Sequence, residues 1–394
     1  MERMPMPYVF YNARVVTPRQ EIENGAVVVS ETGQIAYVGP MDGRPTVDGA
    51  QVDLQGRILA PGLIDVHVHG GKGITFGNLD RLEEEIRFYS EWVASAGVAG
   101  FVCSVAAPNT ETLLRIVDCY ATIFERGLPG AEALGLHLEG PYLNPERKGA
   151  FNPAWLHLPT LQEAEALLQA GRGWIRQVTL APELPGALET AARFRAAGVV
   201  VALGHSNADY ETAWQALQGD FRHVTHTYNA QRGFQHREPG VVGAVLTSEG
   251  TTAELIADLV HVHPGAMRLL VRCLGRDRVV LVTDAMAGAG LADGQYELVG
   301  HPVTVKNGMA TLADGTLAGS TVLLNQCVRN MHLEVGVPLR EAVQMASLNP
   351  ARAMGLDSRL GSLEVGKDAS LVVLDDQARV YLTVVRGKIV YRSD

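Results

Sequence analysis

Eight short apolar runs of β-forming residues recur along the middle of the chain, at 58–66, 98–105, 133–138, 175–180, 199–203, 222–226, 253–258 and 278–283, with helical patterns between most of them. In the segment 80–96, Leu82, Ile86, Tyr89 and Val93 recur at three- and four-residue spacing and mark one apolar helix face. Strands that are apolar on both faces belong in a parallel sheet covered by helices, and eight strand–helix units close such a sheet into a (β/α)8 TIM-type barrel. The two ends differ from this middle. Residues 8–58 and the stretch from 361 are short Val-, Ile- and Tyr-rich segments punctuated by glycine. The expected α/β organisation is therefore a barrel over 59–355, with 1–58 and 356–394 forming one small β-sandwich-like domain from both termini.

Bulk properties narrow the function. Of 394 residues 47 % are hydrophobic and 19 % charged, the balance of a globular enzyme rather than a disordered chain. The net charge of −10, with no dense Lys/Arg cluster, argues against nucleic-acid or membrane partners, so an anionic substrate must be held by a few local cations. Cys103, Cys119, Cys273 and Cys327 form no CxxC pair and sit in apolar stretches, which fits a reducing, cytoplasmic setting. The start "MERMPMPYVFYNARVV" has no long apolar core behind a basic segment, and no apolar run reaches 18 residues, so neither secretion nor membrane insertion is expected.

The chemistry is written at the ends of the runs. His67 and His69 close the first, in "PGLIDVHVHGG"; Glu139 follows the third, His205 the fifth, His226 closes the sixth and Asp284 follows the eighth. A barrel places its active site at the carboxyl ends of its strands, so these six side chains are expected to converge there. His67 and His69, two apart, point to the same side of a strand, where two neutral imidazoles can bind one divalent cation. The alternative is a pair of hydrogen-bonded core histidines, which four further ligand-type residues at matching positions disfavour. Imidazole and carboxylate without thiolate suit Zn²⁺, with Fe²⁺, Mn²⁺ or Co²⁺ as other occupants. Such a cation activates water and polarises a carbonyl, and Asp284 is expected to take the proton from the water and pass it to a leaving nitrogen, as amide hydrolysis requires.

The motifs "PGLIDVHVHG", "HLEGPYLNP", "LGHS", "HTYNA", "REPG" and "VTDAM" resemble the amidohydrolase superfamily and, within it, the N-acetylglucosamine-6-phosphate deacetylase family, over essentially the whole chain. Dihydroorotases and hydantoinases instead carry a carboxylated lysine between two metals, and no lysine stands at a suitable strand end here. The resemblance implies that Glu139, His205 and His226 are the main metal ligands, that His67 and His69 form a second metal position, giving one or two cations per subunit, and that Asp284 is the catalytic acid/base. It also implies substrate contacts from Ala150, Phe151, Asn229, Ala230, Arg237, His261, Leu317, Ala318 and Gly319, with Arg237 and His261 supplying positive charge for a sugar phosphate, and a homodimer. Phe151 departs from the family, which has a histidine there, and Gln231 and Arg232 follow "YNA" where a methionine is common. These departures leave open another N-acetyl amino sugar, such as N-acetylgalactosamine 6-phosphate, or another amide. A catalytically silent barrel used as a scaffold is the non-enzyme alternative.

Other polar residues carry less. His137 reads equally as a support for the ligands and as a hydrogen-bonded core residue. Alternation turns His223 away from His226, and with His157, His236, His263, His301 and His332 it reads as surface. The glycine-rich "AGAGLADG" at 287–294 lacks the Lys-Ser/Thr of a P-loop and reads as a mobile active-site loop.

Overall fold

The computed structural model describes residues 7–393; residues 1–6 and 394, assigned above to the β-rich ends and including the start of the segment read for a leader, lie outside the described residues. Strand β1 (Tyr8–Val16) pairs antiparallel with β2 (Glu21–Val29), which pairs with β3 (Ile35–Pro40), and parallel with β4 (Ala50–Asp53) and β5 (Ile58–Pro61). The run 58–66, read as one strand, is two. The chain leaves this sheet at Gly62, whose N–H donates to Ser370, and Leu63 turns to Gly97 to begin the barrel strand β6 (Leu63–Val68). A small hairpin, β7 (Gly70–Gly71) and β8 (Ile74–Thr75), and α1 (Leu82–Val93) follow.

Strand–helix units then repeat: β9 (Val98–Val105), α2 (Thr110–Glu125), β10 (Glu132–Glu139), α3 (Leu161–Gly171), β11 (Ile175–Leu180), α4 (Ala187–Ala196), β12 (Val200–Leu203), α5 (Tyr210–Gln218), β13 (His223–Val224), α6 (Gly240–Thr247), β14 (Thr252–Ile256), α7 (Pro264–Leu274) and β15 (Val279–Val282). A three-stranded antiparallel sheet, β16 (Gly294–Leu298), β17 (His301–Lys306) and β18 (Met309–Thr311), separates β15 from α8 (Leu324–Asn330). After α9 (Leu339–Met345) and α10 (Leu348–Ala353), β19 (Leu371–Leu374), β20 (Val380–Val385) and β21 (Lys388–Arg392) return to the first sheet, with β19 antiparallel to β5. Several helices begin at side-chain caps directly after the loops at the barrel mouth: Asn109 accepts the N–H of Thr112, and Asp209 that of Thr212.

The eight barrel strands hydrogen-bond in sequence order from β6 to β15, all parallel. The seam between β15 and β6 is closed by Asp284 N–H to His67 C=O (2.9 Å) and His69 N–H to Ala285 C=O (2.9 Å). Lower on the seam, the buried Asp65 carboxylate accepts from the hydroxyl of Thr283 (2.6 Å) and from its N–H (3.2 Å). Burial raises the pKa of Asp65 to about 7, against the opposing hydrogen bonds from Thr283 and His67.

Inside the barrel, Ile64 and Val66 pack with Val102, Leu134, Ile256, Val280 and Val282, closed from below by Met354, Leu356 and Leu360. Pairing with β9 shifts register between Asp65 and Val68, and this bulge re-aims the strand so that His67 and His69 also reach the interior. Above the apolar layer lies a polar one containing Gln177, His137, His223 and Glu254, all fully buried.

Two expectations change. His223 does not lie at the surface: β13 has two residues, so strict alternation ends before His226, and both histidines face inward. The 287–294 stretch is pinned over its first half, where the buried Ala287 and Ala289 accept the N–H groups of Gly73 (2.8 Å) and Lys72 (2.7 Å). Among the described residues no helix is long and apolar enough to cross a membrane, and the four cysteines are free.

Candidate metal centre

His67, His69, Glu139, His205 and His226 come from four strand ends and meet in one buried cluster, as two groups that share Glu139. Glu139 Oε2 lies 2.8 Å from His69 Nε2 and 3.4 Å from His67 Nε2, and the two Nε2 atoms are 3.3 Å apart. The other oxygen, Oε1, lies 3.1 Å from both His205 Nε2 and His226 Nε2, which are 3.0 Å from each other. Asp284 Oδ1 stands 3.4 Å from His67 Nε2 and 3.3 Å from His69 Nε2.

The outer hydrogen bonds decide what these atoms present inward. His205 Nδ1 is 2.8 Å from the carbonyl of Arg147, which can only accept, so Nδ1 carries the proton and Nε2 shows a bare lone pair to Glu139. His67 Nδ1 likewise donates, to Glu254 Oε2 at 2.8 Å, but here burial is outweighed by the carboxylates of Glu139, Glu254 and Asp284, which favour the protonated ring. Lone pairs and carboxylate oxygens crowded together repel unless positive charge lies among them. The same field acts on His69: burial pushes its pKa down, but hydrogen bonds to Asp284 and Glu139 prevail and hold it up at about 9. Burial would raise the pKa of Glu139 and Asp284, yet the charge of His67 leads the effects that hold both below the usual carboxylate range. A donor set of imidazole nitrogens and carboxylate oxygens, desolvated and without thiolate, fits a divalent metal.

Backbone shape is part of the construction. His205 (φ 48°), His226 (φ 27°) and Asp284 (φ 48°) all occupy the left-handed region, which costs non-glycine residues of order 1–3 kcal/mol each and is found where a site dictates the geometry. Gly149 is fitted beneath this loop at φ 56°, and a Cβ there would come within 3.1 Å of the His205 ring.

One buried residue escaped the sequence reading. Glu254, inside the apolar run "TAELIA", accepts from His67 Nδ1 and the His226 N–H (2.9 Å) on Oε2, and from Gln177 Nε2 (2.9 Å) and His223 Nε2 (3.1 Å) on Oε1. It therefore touches both groups of the cluster, through a side chain in one and the backbone in the other. Burial would raise its pKa, but the charge of His67 and the bonds from His223 and His67 hold it well down. A charged residue in an otherwise apolar strand was the available signal. His137 proves to be a saturated neighbour, bonded to Ser104 Oγ (2.9 Å) and Thr179 Oγ1 (2.7 Å), with its ring edge-on to His67.

A cavity of about 340 Å³ opens onto the cluster. His69, Glu139, His205, His226 and Asp284 line its floor. Of the residues expected to contact substrate, Ala150, Phe151, Asn229, Ala230, His261, Leu317 and Gly319 line its walls. Ala318 is fully buried beneath the wall, and Arg237 is exposed on the 231–239 loop, away from the lining. The basic side chains that line this cavity outside the cluster are Arg147 and His261. His261 donates Nδ1–H to Asp258 Oδ2 (2.7 Å); burial lowers its pKa, but that bond raises it overall. Phe151 sets its ring edge-on to His205, centroids 5.2 Å apart.

Comparison with known proteins agrees with this geometry. Residues 58–390 match the model of the amidohydrolase family. The chain is 38 % identical to the N-acetylglucosamine-6-phosphate deacetylase of Vibrio furnissii, covering 99 % of this chain and 97 % of that one. It is 37 % identical to the N-acetylgalactosamine-6-phosphate deacetylase of Escherichia coli O157:H7, covering 98 % and 99 %. Among solved structures, that of a Mycobacterium smegmatis N-acetyl-D-glucosamine-6-phosphate deacetylase mutant in complex with N-acetyl-D-glucosamine-6-phosphate superposes with a TM-score of 0.90 at 34 % identity, over 98 % of this chain and 99 % of that one. With the fold, the buried His/Glu cluster and the matched span in agreement, the chain belongs to the amidohydrolase family.

Proposed function

We propose that this chain hydrolyses the acetamide of N-acetylglucosamine 6-phosphate to glucosamine 6-phosphate and acetate. The observation that carries the reading is the meeting of four histidines around Glu139, with Asp284 beside them, on the floor of a cavity that Arg147 and His261 also line. Relatives of that name match over nearly the whole chain.

His67 and His69 would hold one cation and His205 and His226 the other, with Glu139 shared, and Zn²⁺ suits the donors best, ahead of Fe²⁺, Mn²⁺ or Co²⁺. When bound, the divalent cation supplies Lewis acidity, polarising a carbonyl and making water nucleophilic near neutral pH. Asp284, ionised in its surroundings, accepts a proton from the attacking water at a carboxylate oxygen. It returns that proton to the amide nitrogen as the C–N bond breaks and the water oxygen stays on the acetyl carbon, which avoids expelling an amide anion. Arg147 faces the sugar phosphate and supplies positive charge that the acidic chain as a whole lacks, and His261, whose bond to Asp258 favours its protonated form, stands with it. Phe151 closes the wall by His205 with an apolar edge, so the family's histidine contact is replaced by packing.

The family resemblance implies a homodimer, in which Arg237, exposed and outside its own cavity, would be placed to reach the neighbouring subunit's substrate. Free cysteines fit a reducing cytoplasm. Acetate release from a panel of N-acetyl hexosamines, phosphorylated and not, tests the function: fastest turnover of N-acetylglucosamine 6-phosphate is expected. A preference for the galactosamine epimer would transfer the assignment to the reading that the Escherichia coli relative represents. Elemental analysis, with reconstitution one cation at a time, tests metal number and identity.

A further inference from the structure

A second cavity of about 350 Å³ lies on the other side of His69. The turn that joins β16 to β17 separates the two, and Leu298 and Val299 line both. Val299 is held at φ 44°, a rare conformation for a β-branched residue, and Gly300 packs so tightly against Trp155 that a Cβ would come within 2.6 Å of its ring. His69 is the one member of the cluster that reaches this second space.

We infer that this second cavity is an acyl subsite, and that the chain also hydrolyses N-acyl hexosamine 6-phosphates whose acyl chain is longer than acetyl. The inference rests on the deacetylase reading above. A secondary amide is trans, so the substituent on the carbonyl carbon points away from the sugar carbon across the C–N bond. With the sugar phosphate beside Arg147 and His261 and the leaving nitrogen at Asp284, the acyl chain runs past His69 into the second cavity.

The lining fits that occupant. Phe76, Val105, Ala106, Pro108 and Ile116 give it one apolar wall, while Thr75, Asn78, Ser104, Thr112 and Glu297 bring polar groups to the rest. Among the described residues no lysine or arginine lines it, and Glu297 does, so a sugar phosphate is disfavoured there and the orientation is not reversed. The volume far exceeds that of a single methyl group. The bonds exchanged are those of deacetylation: water oxygen joins the acyl carbon, the C–N bond breaks, and the proton passes through Asp284 to nitrogen, releasing glucosamine 6-phosphate and a short-chain carboxylate.

The test compares kcat/KM for N-acetyl-, N-butyryl- and N-hexanoylglucosamine 6-phosphate in the metal-loaded protein and in two variants that fill the cavity from different elements, Ala106→Trp and Thr112→Tyr. In the unaltered protein the butyryl substrate is expected within about tenfold of the acetyl one, the range that two methylenes span when they are accommodated. In each variant the butyryl-to-acetyl ratio should fall by on the order of 100-fold, as when a pocket lacks room for added methylenes. Turnover of the acetyl substrate with butyryl slower by more than about 10³-fold, or a ratio unmoved in a folded variant, overturns the acyl subsite and leaves the deacetylase reading standing. Absence of turnover on all three overturns both.

Discussion

The two halves of the His/Glu cluster reach similar geometries by opposite routes. His67 lies in β6 and His69 just past its end, two residues apart, and the register shift between Asp65 and Val68 turns both inward. His205 and His226 come from different strands, beyond the ends of β12 and β13, on left-handed backbone that their loops must hold against its cost. The first half is specified by spacing along one stretch of chain and the second by closure of the barrel. Their supports differ as well: Glu254 fixes the His67 ring through Nδ1 but reaches His226 only at its N–H, and His226 Nδ1 is buried without a hydrogen-bond partner.

The largest test removes what the halves share. Glu139→Gln should release cations from both halves and lower turnover by about 10³- to 10⁵-fold, the equivalent of several kcal/mol of Lewis-acid stabilisation. Retention of full metal content by elemental analysis would contradict the shared role. Asp284→Asn should lower kcat by about 10²- to 10⁴-fold while the His205/His226 half keeps its cation, separating proton transfer from metal holding. Next comes Glu254→Gln, in which an amide replaces the acceptor of His67 Nδ1–H. Metal affinity measured by titration calorimetry should weaken by about 10- to 100-fold at the His67/His69 half and less at the other. Equal weakening at both would show that the His226 backbone contact matters as much as the ring contact. The smallest effect belongs to Phe151→Leu, which removes the edge-on ring against His205. An aromatic pair contributes about 0.5–1.5 kcal/mol beyond its burial, so affinity at the His205/His226 half should fall by roughly two- to tenfold, with the other half unmoved.

The same contrast governs what could be read before the structure. Alternating apolar runs and helical faces announced the barrel, because burial on both faces of a parallel strand leaves a continuous signal in sequence. Runs whose ends depended on neighbours were read less well: 58–66 serves two sheets, since the pairing partner changes at Gly62, and 222–226 yields a strand of two residues. Glu254 was passed over because an acidic side chain inside an apolar run announces no partner, and its four donors come from β6, β11, β13 and the segment just after β13. Arg147, a cavity cation, follows "HLEGPYLNPE" without any spacing of its own, whereas Arg237, singled out by its motif, lies elsewhere.

By itself the sequence determined the alternation of strand and helix, the HxH pair and the ligand-type residues at strand ends, because each depends on periodicity or position within one element. Tertiary structure alone decided that Glu139 offers one oxygen to each half, that Glu254 lies beneath both, and that the turn at Val299 divides the space above them. Those relations join atoms from strands far apart in the chain, and their distances exist only once the sheet has closed on itself.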